Sequence, residues 1–325
     1  MTPEITRILN KIDFENIDKH PNILIAARIW DDQRYHAARV CYKFMRMIDD
    51  LIDNRKAKEE AISCLEQKMM TDQVNSWIDC LYHTEHEDPF LQELVATVSK
   101  FKIPLGLFHH FTKSMLYDIN NDGFASLEEF LDYAEGASVA PASVFVHLCC
   151  LGESEQGFTA PPWEVTELAR PCARFSYIVH IIRDFQQDQL ENLNYFATNM
   201  LLKHGLTPAD LKKIARGAPI PDSFRDLIGE YYEIADSYRA ETLRVLDRLS
   251  GQLDDRYFFS LHLIYQLYQM VFDRIEPRSG TFTTAELNPT PSEMRKKVTE
   301  VALFWEDLIK ANKRLPGIRA TASKL

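Results

Sequence analysis

The chain has 325 residues and a formal net charge of −11, and hydrophobic residues make up 46% of it. Phosphate backbones select basic surfaces, so this charge argues against a nucleic-acid partner. The charged N-terminus is unlike a signal peptide, and the longest largely apolar run, residues 137–151, is short for a membrane span and contains a proline. We therefore expect a soluble, cytoplasmic protein whose six cysteines are reduced.

The sequence predicts helices throughout. Glycine is scarce, with 11 residues, and no series of short alternating strands lies between turn signals. Proline and glycine clusters divide the chain into segments of helix length, and no low-complexity linker or internal repeat separates it into parts. We expect one all-α domain over residues 1–325, with its acidic helices facing inward.

The first chemically informative segment is residues 41–54, CYKFMRMIDDLIDN. Apolar residues recur there at helical spacing, and Asp49 and Asp53 lie one turn apart, with Asp50 about 100° around the helix from Asp49. Stacked carboxylates repel each other and need a counter-charge, for which a hard divalent cation is suited. An exposed acidic helix end is the alternative, and this segment alone does not decide between the two.

Residues 118–129, DINNDGFASLEE, match the spacing of a calcium-binding EF-hand loop. However, Ala125 stands where a branched apolar residue normally pairs with a partner loop, and the sequence has no second loop of this kind. A helix–helix turn with a capping box of Ser126 and Glu129 is the alternative. We favour the capped turn over Ca²⁺ binding.

Two apolar segments lie further along the chain. Residues 136–143 are rich in small side chains, which would let another group approach the backbone closely. Tyr265, Tyr268 and Phe272 recur at helical spacing, which is typical of a core stripe. Both segments are explained by ordinary packing unless a cavity lies beside them.

A second acidic segment, residues 175–188, repeats the arrangement of the first. Asp184 and Asp188 lie one turn apart on a predicted helix, and His180 lies one turn earlier on the same stripe. Two such helices facing each other across a cavity could hold two or three Mg²⁺ ions, which complete their coordination with water and substrate phosphate. Together the two segments predict a diphosphate substrate.

The two acidic segments resemble the squalene/phytoene synthase family. The resemblance rests on Tyr42, Arg46 and DDxxD in the first segment, and on IIRDxxxD followed by Tyr195 in the second. It runs from about Lys19 to about Lys297. It implies a class I isoprenoid synthase, a single helical bundle around a central cavity. Such enzymes join two farnesyl (C15) or geranylgeranyl (C20) diphosphates head to head, through a cyclopropyl diphosphate, to a squalene- or phytoene-type product.

The resemblance also implies roles for individual residues. Two or three Mg²⁺ ions would be held by Asp49, Asp50, Asp53, Asp184 and Asp188. The catalytic side chains would be Tyr42, Arg46, Tyr133, Arg183, Tyr195 and Tyr268. The substrate would be bound by Arg28, Ser138, Tyr177 and His180. In the family, the tyrosine matched by Tyr133 precedes a break in a helix of small residues, here near Ser138.

This chain departs from the family pattern in several places. Tyr177, His180 and Gln187 stand where the family usually has glutamine, asparagine and glutamate, and no Gly-Arg precedes Tyr195. Imidazole is a poorer ligand for Mg²⁺ than an oxygen donor. Before the first acidic helix, the family's phosphate-binding serines are absent, and a polar stretch stands in their place, formed by Lys19, His20, Asn22 and Arg28.

These departures leave alternatives open. A prenyl diphosphate phosphatase on the same fold would use the same metals but quench the first cation with water. A non-catalytic helical binding or assembly protein is a second alternative, although the retained aspartates speak against it. A Ca²⁺-responsive protein is a third. Reduction of the product by NADPH is neither required nor excluded. We expect a monomer or homodimer that contacts a membrane only peripherally, for product release.

Overall fold

The computed structural model describes residues 6–7, 9–15, 22–58, 62–83 and 85–310, so Lys19 and His20 lie outside the described residues. Helices dominate these ranges, which confirms the predicted all-α fold. In chain order they are α1 (Asn22–Ala27), α2 (Asp32–Lys56), α3 (Cys64–Asp79), α4 (Pro89–Lys100), α5 (Leu105–Asn120), α6 (Leu127–Ala134), α7 (Ala140–Cys150), α8 (Val165–Arg183), α9 (Phe185–Leu190), α10 (Thr198–Lys203), α11 (Pro208–Ala215), α12 (Asp222–Leu249), α13 (Asp255–Phe272), α14 (Thr284–Leu287) and α15 (Pro291–Lys310).

Within the described part of the chain, the β-structure is one short hairpin between α7 and α8. Its strands, β1 (Gly152–Ser154) and β2 (Gly157–Thr159), pair antiparallel, with Glu153 opposite Phe158. The six cysteines are unpaired. In the described ranges, no helix is both long and apolar enough to cross a bilayer.

Helix α2 carries the first acidic segment. Its N-cap Asp31 accepts hydrogen bonds from the N–H groups of Gln33 and Arg34, which satisfies donors that the helix cannot use. One face of the helix is buried in the core through residues that include Val40, Cys41, Phe44, Ile48 and Ile52. Because these residues recur at helical spacing, the aspartates of the same segment are turned away from that face.

Helix α7 brings the two acidic segments together. It packs against α2 on one side and against α8 on the other. Helix α8 also packs along α12 and against α13. A single apolar core runs through these helices, and Asp49, Asp53 and Asp188 line a common interior space.

The second acidic segment is interrupted at Asp184, where one continuous helix was expected. Helix α8 ends at Arg183, Asp184 has φ −94° and ψ 4°, and α9 begins at Phe185. The backbone hydrogen bonds Asp184 N–H to His180 O and Asp188 N–H to Asp184 O persist, both at 2.9 Å. The spacing of one turn therefore survives, but Asp184 and Asp188 no longer belong to one helix.

The EF-hand-like segment is a capped turn, as favoured. Ser126 Oγ accepts from the Glu129 N–H at 3.1 Å, and the Glu129 carboxylate accepts from the Ala125 N–H at 2.5 Å. In a capping box this carboxylate would accept from the Ser126 N–H. Here it accepts from the preceding residue instead. The Lys56 ammonium donates to the Asn121 carbonyl at 2.8 Å, so a side-chain cation already lies against this turn.

A π-helical turn, Glu135–Val139, joins α6 to α7 and coincides with the predicted run of small residues. A Cβ added at Gly136 would lie 2.1 Å from the His110 carbonyl oxygen and 2.2 Å from Ser114 Oγ. Only glycine lets the backbone of α5 approach this closely. The predicted close approach is therefore confirmed, and the approaching group is a neighbouring backbone.

We predict that Gly136→Ala destabilises the protein by about 1–3 kcal/mol, because the new methyl group meets a backbone oxygen that cannot move aside. Gly106→Ala is the matched control on α5, since nothing lies within 4 Å of its added Cβ. The control should be neutral or stabilising by up to about 1 kcal/mol. Urea unfolding followed by circular dichroism measures both, and equal midpoints would contradict the close approach.

Candidate active site

A cavity of about 400 Å³ lies between α2, α5, the π-helical turn, α7, α8, α12 and α13. It has a polar wall and an apolar remainder. The residues predicted for the site that line it are Tyr42, Arg46, Asp49, Asp53, Tyr133, Ser138, Tyr177, His180, Asp188, Tyr195 and Tyr268. The predicted residues outside this lining are Arg28, Asp50, Arg183 and Asp184.

On α2, Arg46 bridges two of the motif aspartates. Its guanidinium lies 3.0 Å from Asp49 Oδ2 and 2.6 Å from Asp50 Oδ1. Burial, and then the charge of Asp53, raise the pKa of Asp49 to about 7. Burial, and then the charge of Asp118, raise the pKa of Asp53 to about 6. One arginine therefore does not neutralise the carboxylates that face the cavity.

The two aspartates of the second segment lie in opposite electrostatic environments. Asp184 accepts two hydrogen bonds from the Arg183 guanidinium, at 2.7 and 2.6 Å, and lies 2.6 Å from His180 Nε2. Although burial opposes its ionisation, His180 and Arg183 hold the pKa of Asp184 well below its usual range. Burial, and then the charges of Asp184 and Asp53, raise the pKa of Asp188 to about 8.

The donor set facing the cavity fits a hard divalent cation. In the described ranges, no group of three or more His, Cys, Asp or Glu side chains already stands close enough to hold an ion. The raised pKa values of Asp49, Asp53 and Asp188 nevertheless show uncompensated negative charge around one space. Carboxylate oxygens are the ligands that Mg²⁺ prefers, and water and phosphate complete its shell. These three residues could hold it.

Tyrosines form the wall next to the carboxylates. The ring centroids of Tyr133 and Tyr177 are 6.3 Å apart, as are those of Tyr177 and Tyr195, and Phe130 stacks on Tyr177 at 5.5 Å. Burial raises the pKa of all three phenols well above the ordinary value, so they stay neutral. Neutral aromatic faces stabilise a passing cation without capturing it.

Some predicted residues lie behind the cavity or away from it. Arg28 donates to the Lys11 carbonyl at 3.2 Å and stacks over the Tyr35 ring, so the structure places it outside the cavity lining. Asp50 forms an ion pair with Arg46, and Arg183 forms one with Asp184. The Ser138 hydroxyl lines the cavity but donates to the Ala173 carbonyl.

Sequence reasoning missed several polar residues at the site. Glu191 lines the cavity, and Asp118 and Lys56 border Asp53 and Tyr195 at a smaller adjoining pocket. Glu191 follows Asp188 by less than one helical turn, a spacing that could have pointed to it. Asp118 was assigned instead to the EF-hand-like pattern. The apolar wall was also missed, because hydrophobic periodicity does not distinguish a cavity lining from a core.

Comparison with known proteins identifies the family of the chain. A family model described as squalene/phytoene synthase matches residues 19–296. The chain belongs to the squalene/phytoene synthase family. The predicted resemblance is thereby confirmed. The presqualene diphosphate synthase of Rhodopseudomonas palustris is 24% identical over 207 residues, which cover 62% of this chain and 67% of that protein.

Solved structures share the fold. A dehydrosqualene synthase in complex with a ligand matches with a TM-score of 0.68 at 13% identity, over 94% of this chain and 97% of that one. The squalene synthase HpnC of Alicyclobacillus acidocaldarius matches with a TM-score of 0.61 at 15% identity, over 83% and 90% of the two chains. YisP of Bacillus subtilis matches with a TM-score of 0.58 at 13% identity, over 91% of this chain and 96% of that one. Identities this low support the fold and no finer statement.

The raised pKa of Asp188 predicts a pH dependence of stability without metal. Between the unfolded value near 4 and the folded value of about 8, the folded state binds the extra proton, so stability falls as pH rises through this window. Asp188→Asn removes the titrating group. Between pH 5 and pH 8.5 in EDTA, the free energy of unfolding should fall by about 1–3 kcal/mol less in the variant than in the parent.

Denaturant unfolding at the two pH values measures this difference, and saturating Mg²⁺ is the control. A bound cation should stabilise the ionised carboxylates of the parent and flatten its pH dependence. Parallel losses of stability for parent and variant in EDTA would show that Asp188 is not held in a repulsive cluster.

Proposed function

We propose that this protein catalyses the Mg²⁺-dependent head-to-head condensation of two prenyl diphosphates, C15 or C20, through a cyclopropyl diphosphate to a squalene- or phytoene-type product. The observation that carries the proposal is that Asp49, Asp53 and Asp188 line one cavity together with many aliphatic and aromatic side chains. A charged end beside an apolar space matches a substrate with a diphosphate head and a hydrocarbon tail.

The carboxylate end would ionise the substrate. Mg²⁺ held by Asp49, Asp53 and Asp188 would supply the positive charge that stabilises a departing diphosphate. Arg46 lines the same wall and offers guanidinium donors. Arg183 and His180 hold Asp184 in place behind it, which keeps that end rigid. Ionisation then leaves an allylic cation facing the tyrosine wall.

The aromatic and apolar walls would protect that cation. Tyr42, Tyr133, Tyr177 and Tyr268 line the cavity, and burial raises the pKa of the Tyr42 phenol to about 12. Neutral phenols and aliphatic side chains are weak nucleophiles, so the cation survives until the double bond of a second prenyl diphosphate attacks it. The attack forms the new carbon–carbon bond.

The apolar end has room along α8 for prenyl tails. Leu168 and His180 both line the cavity, and twelve residues of helix separate them by about 18 Å. Small and aliphatic side chains surround the end remote from the carboxylates: Val146, Leu168, Ala169, Leu246, Leu249 and Leu261.

One observation favours a second candidate, a prenyl diphosphate phosphatase. Asp184 is fully paired with Arg183 and His180, so Asp188 is the residue of that motif pair that faces the cavity. A site with fewer free carboxylates could ionise one substrate and release the prenyl alcohol after attack by water. The two candidates share the first step and differ in what captures the cation.

The deciding experiment incubates the purified protein with Mg²⁺ and farnesyl or geranylgeranyl diphosphate, with and without NADPH, and identifies products by mass spectrometry. The sequence contains no GxGxxG run, so NADPH dependence would require a different kind of site. We expect a C30 or C40 hydrocarbon or its cyclopropyl diphosphate precursor.

Asp53→Asn should lower the rate about 10²–10³-fold, whereas Asp72→Asn on the exposed side of α3 should leave it unchanged.

Each outcome of this assay has a distinct meaning. Free prenyl alcohol as the sole product would establish the phosphatase. If a cyclopropyl diphosphate accumulates and is not converted further, the reaction stops after the condensation. No turnover of either substrate, with Asp53→Asn indistinguishable from the parent in Mg²⁺ binding, would contradict both enzymatic functions.

The apolar end also predicts substrate length selection. Ala169 is buried and lines the cavity beside Leu168. Ala169→Leu extends into the space for the tail end, so we expect kcat/KM for the C20 substrate to fall at least tenfold more than that for the C15 substrate. Competition between the two substrates measures this ratio directly, and the melting temperature checks the fold. An equal loss for both would place the tails elsewhere.

A further inference from the structure

A hydrogen bond joins Tyr133 of the cavity wall to a carboxylate that lies behind it. The Tyr133 hydroxyl donates to Asp118 Oδ2. Asp118 lies in the last turn of α5 and Tyr133 in α6, on either side of the EF-hand-like turn. Tyr133 lines the main cavity, whereas Asp118 does not and is only 12% exposed. The phenol therefore stands between the substrate space and the carboxylate.

The carboxylate is held in place from its other side. The Lys56 ammonium lies 3.7 Å from Asp118 Oδ1 and donates to the backbone carbonyls of Asp118, at 3.1 Å, and Asn121, at 2.8 Å. Lys56 is only 10% exposed. One carboxylate oxygen thus faces the ammonium while the other faces the phenol. This arrangement orients Asp118 and supplies a nearby positive charge for its ionised form.

The phenol ring is equally constrained. Tyr133 contacts Phe124 at a centroid distance of 4.9 Å, Tyr117 at 5.8 Å and Tyr177 at 6.3 Å. Aromatic neighbours on several sides fix the ring plane, so the hydroxyl keeps its direction toward Asp118. The pair forms a rigid path from the cavity to a carboxylate that does not itself reach the substrate space.

The proposed condensation needs such a path. When the double bond of the second prenyl diphosphate attacks the allylic cation, a tertiary cation forms. The cyclopropane ring closes when the carbon that was the allylic cation centre, now two bonds from the tertiary cation, loses a proton, and the electron pair of that C–H bond becomes the third ring bond. A base near the cavity must accept the proton. A phenol can do so only if its own proton leaves at the same time.

We propose that Asp118 is a positioning residue for Tyr133 and receives its proton as the cyclopropane ring closes. The substrate proton passes to the Tyr133 oxygen while the phenol proton passes to Asp118 Oδ2, so tyrosine is neutral before and after the step. Lys56 orients the carboxylate throughout. This inference rests on the proposed condensation, and it gives a function to the aspartate that begins the EF-hand-like pattern.

The test compares Asp118→Asn with the matched control Asp122→Asn. Asp122 lies in the same turn, 3.9 Å from Lys56, but it is fully exposed and has no contact with Tyr133 in the described structure. Asparagine can still accept the Tyr133 hydrogen bond, but it is a far weaker proton acceptor. We expect Asp118→Asn to lower kcat for the cyclopropyl product about 100-fold with KM changed by less than about threefold.

Product composition separates a proton-transfer role from a structural one. Ionisation and carbon–carbon bond formation do not need Asp118, so the stalled tertiary cation should be captured by water as a coupled tertiary alcohol. The ratio of this alcohol to the cyclopropyl product should therefore rise at least tenfold in Asp118→Asn and stay at the parental value in Asp122→Asn. Tyr133→Phe should show the same shift, and the double variant Asp118→Asn/Tyr133→Phe should be no slower than either single variant.

The outcomes distinguish this inference from the proposed function. If the parent forms no coupled product, the condensation itself is wrong. If the parent couples but Asp118→Asn retains the parental product ratio and kcat, only the role of Asp118 is overturned. If circular dichroism shows that Asp118→Asn is unfolded, Tyr133→Phe decides, because it leaves Asp118 and Lys56 in contact; a parental product ratio in that variant would overturn the inference.

Discussion

The repulsion among desolvated carboxylates is the constraint on which the rest of the site depends. Asp49, Asp53 and Asp188 come from two helices and share one cavity, and burial and mutual repulsion raise the pKa of each. Such a cluster costs free energy in the folded protein unless a cation or protons neutralise it. The helices that hold it must therefore be fixed by interactions elsewhere. The buried face of α2 and the packing of α9 against α11 supply them.

Neighbouring carboxylates in the same segments show that this repulsion is not a general property of the acidic motifs. Asp184 has Arg183 and His180 within 2.7 Å, and Asp50 has Arg46 at 2.6 Å. These aspartates are compensated by the protein's own cations and do not line the cavity. The compensated residues hold the arginines in place. Asp53 and Asp188, together with Asp49, which shares Arg46 with Asp50, remain available to an ion that arrives with the substrate. The division follows from the break at Asp184, which sets Asp188 apart from the partners of its neighbour.

The features that the sequence predicts well are those with a local physical cause. Apolar spacing around Asp49 and Asp53 places α2 correctly, because helical periodicity determines which face is buried. The small residues at 136–138 predict a close approach, because only the absence of a side chain at Gly136 admits the His110 carbonyl. Arg28 is the opposite case. Its sequence position agrees with the family pattern, but its contacts with Lys11 and Tyr35 depend on tertiary packing that spacing does not encode.

The contacts of Asp118 show why the spacing of a calcium loop does not by itself establish a calcium site. The pattern of residues 118–129 satisfies the spacing of a calcium loop, but spacing carries no information about residues that arrive from other helices. Lys56, from the end of α2, lies against the turn and competes with any cation for the same oxygens. Tyr133 takes the remaining carboxylate oxygen of Asp118. Since a calcium ion needs six or more oxygen ligands, a turn whose first carboxylate is already shared between an ammonium and a phenol is poorly suited to bind one. Its acidic residue is instead directed toward the tyrosine wall of the cavity.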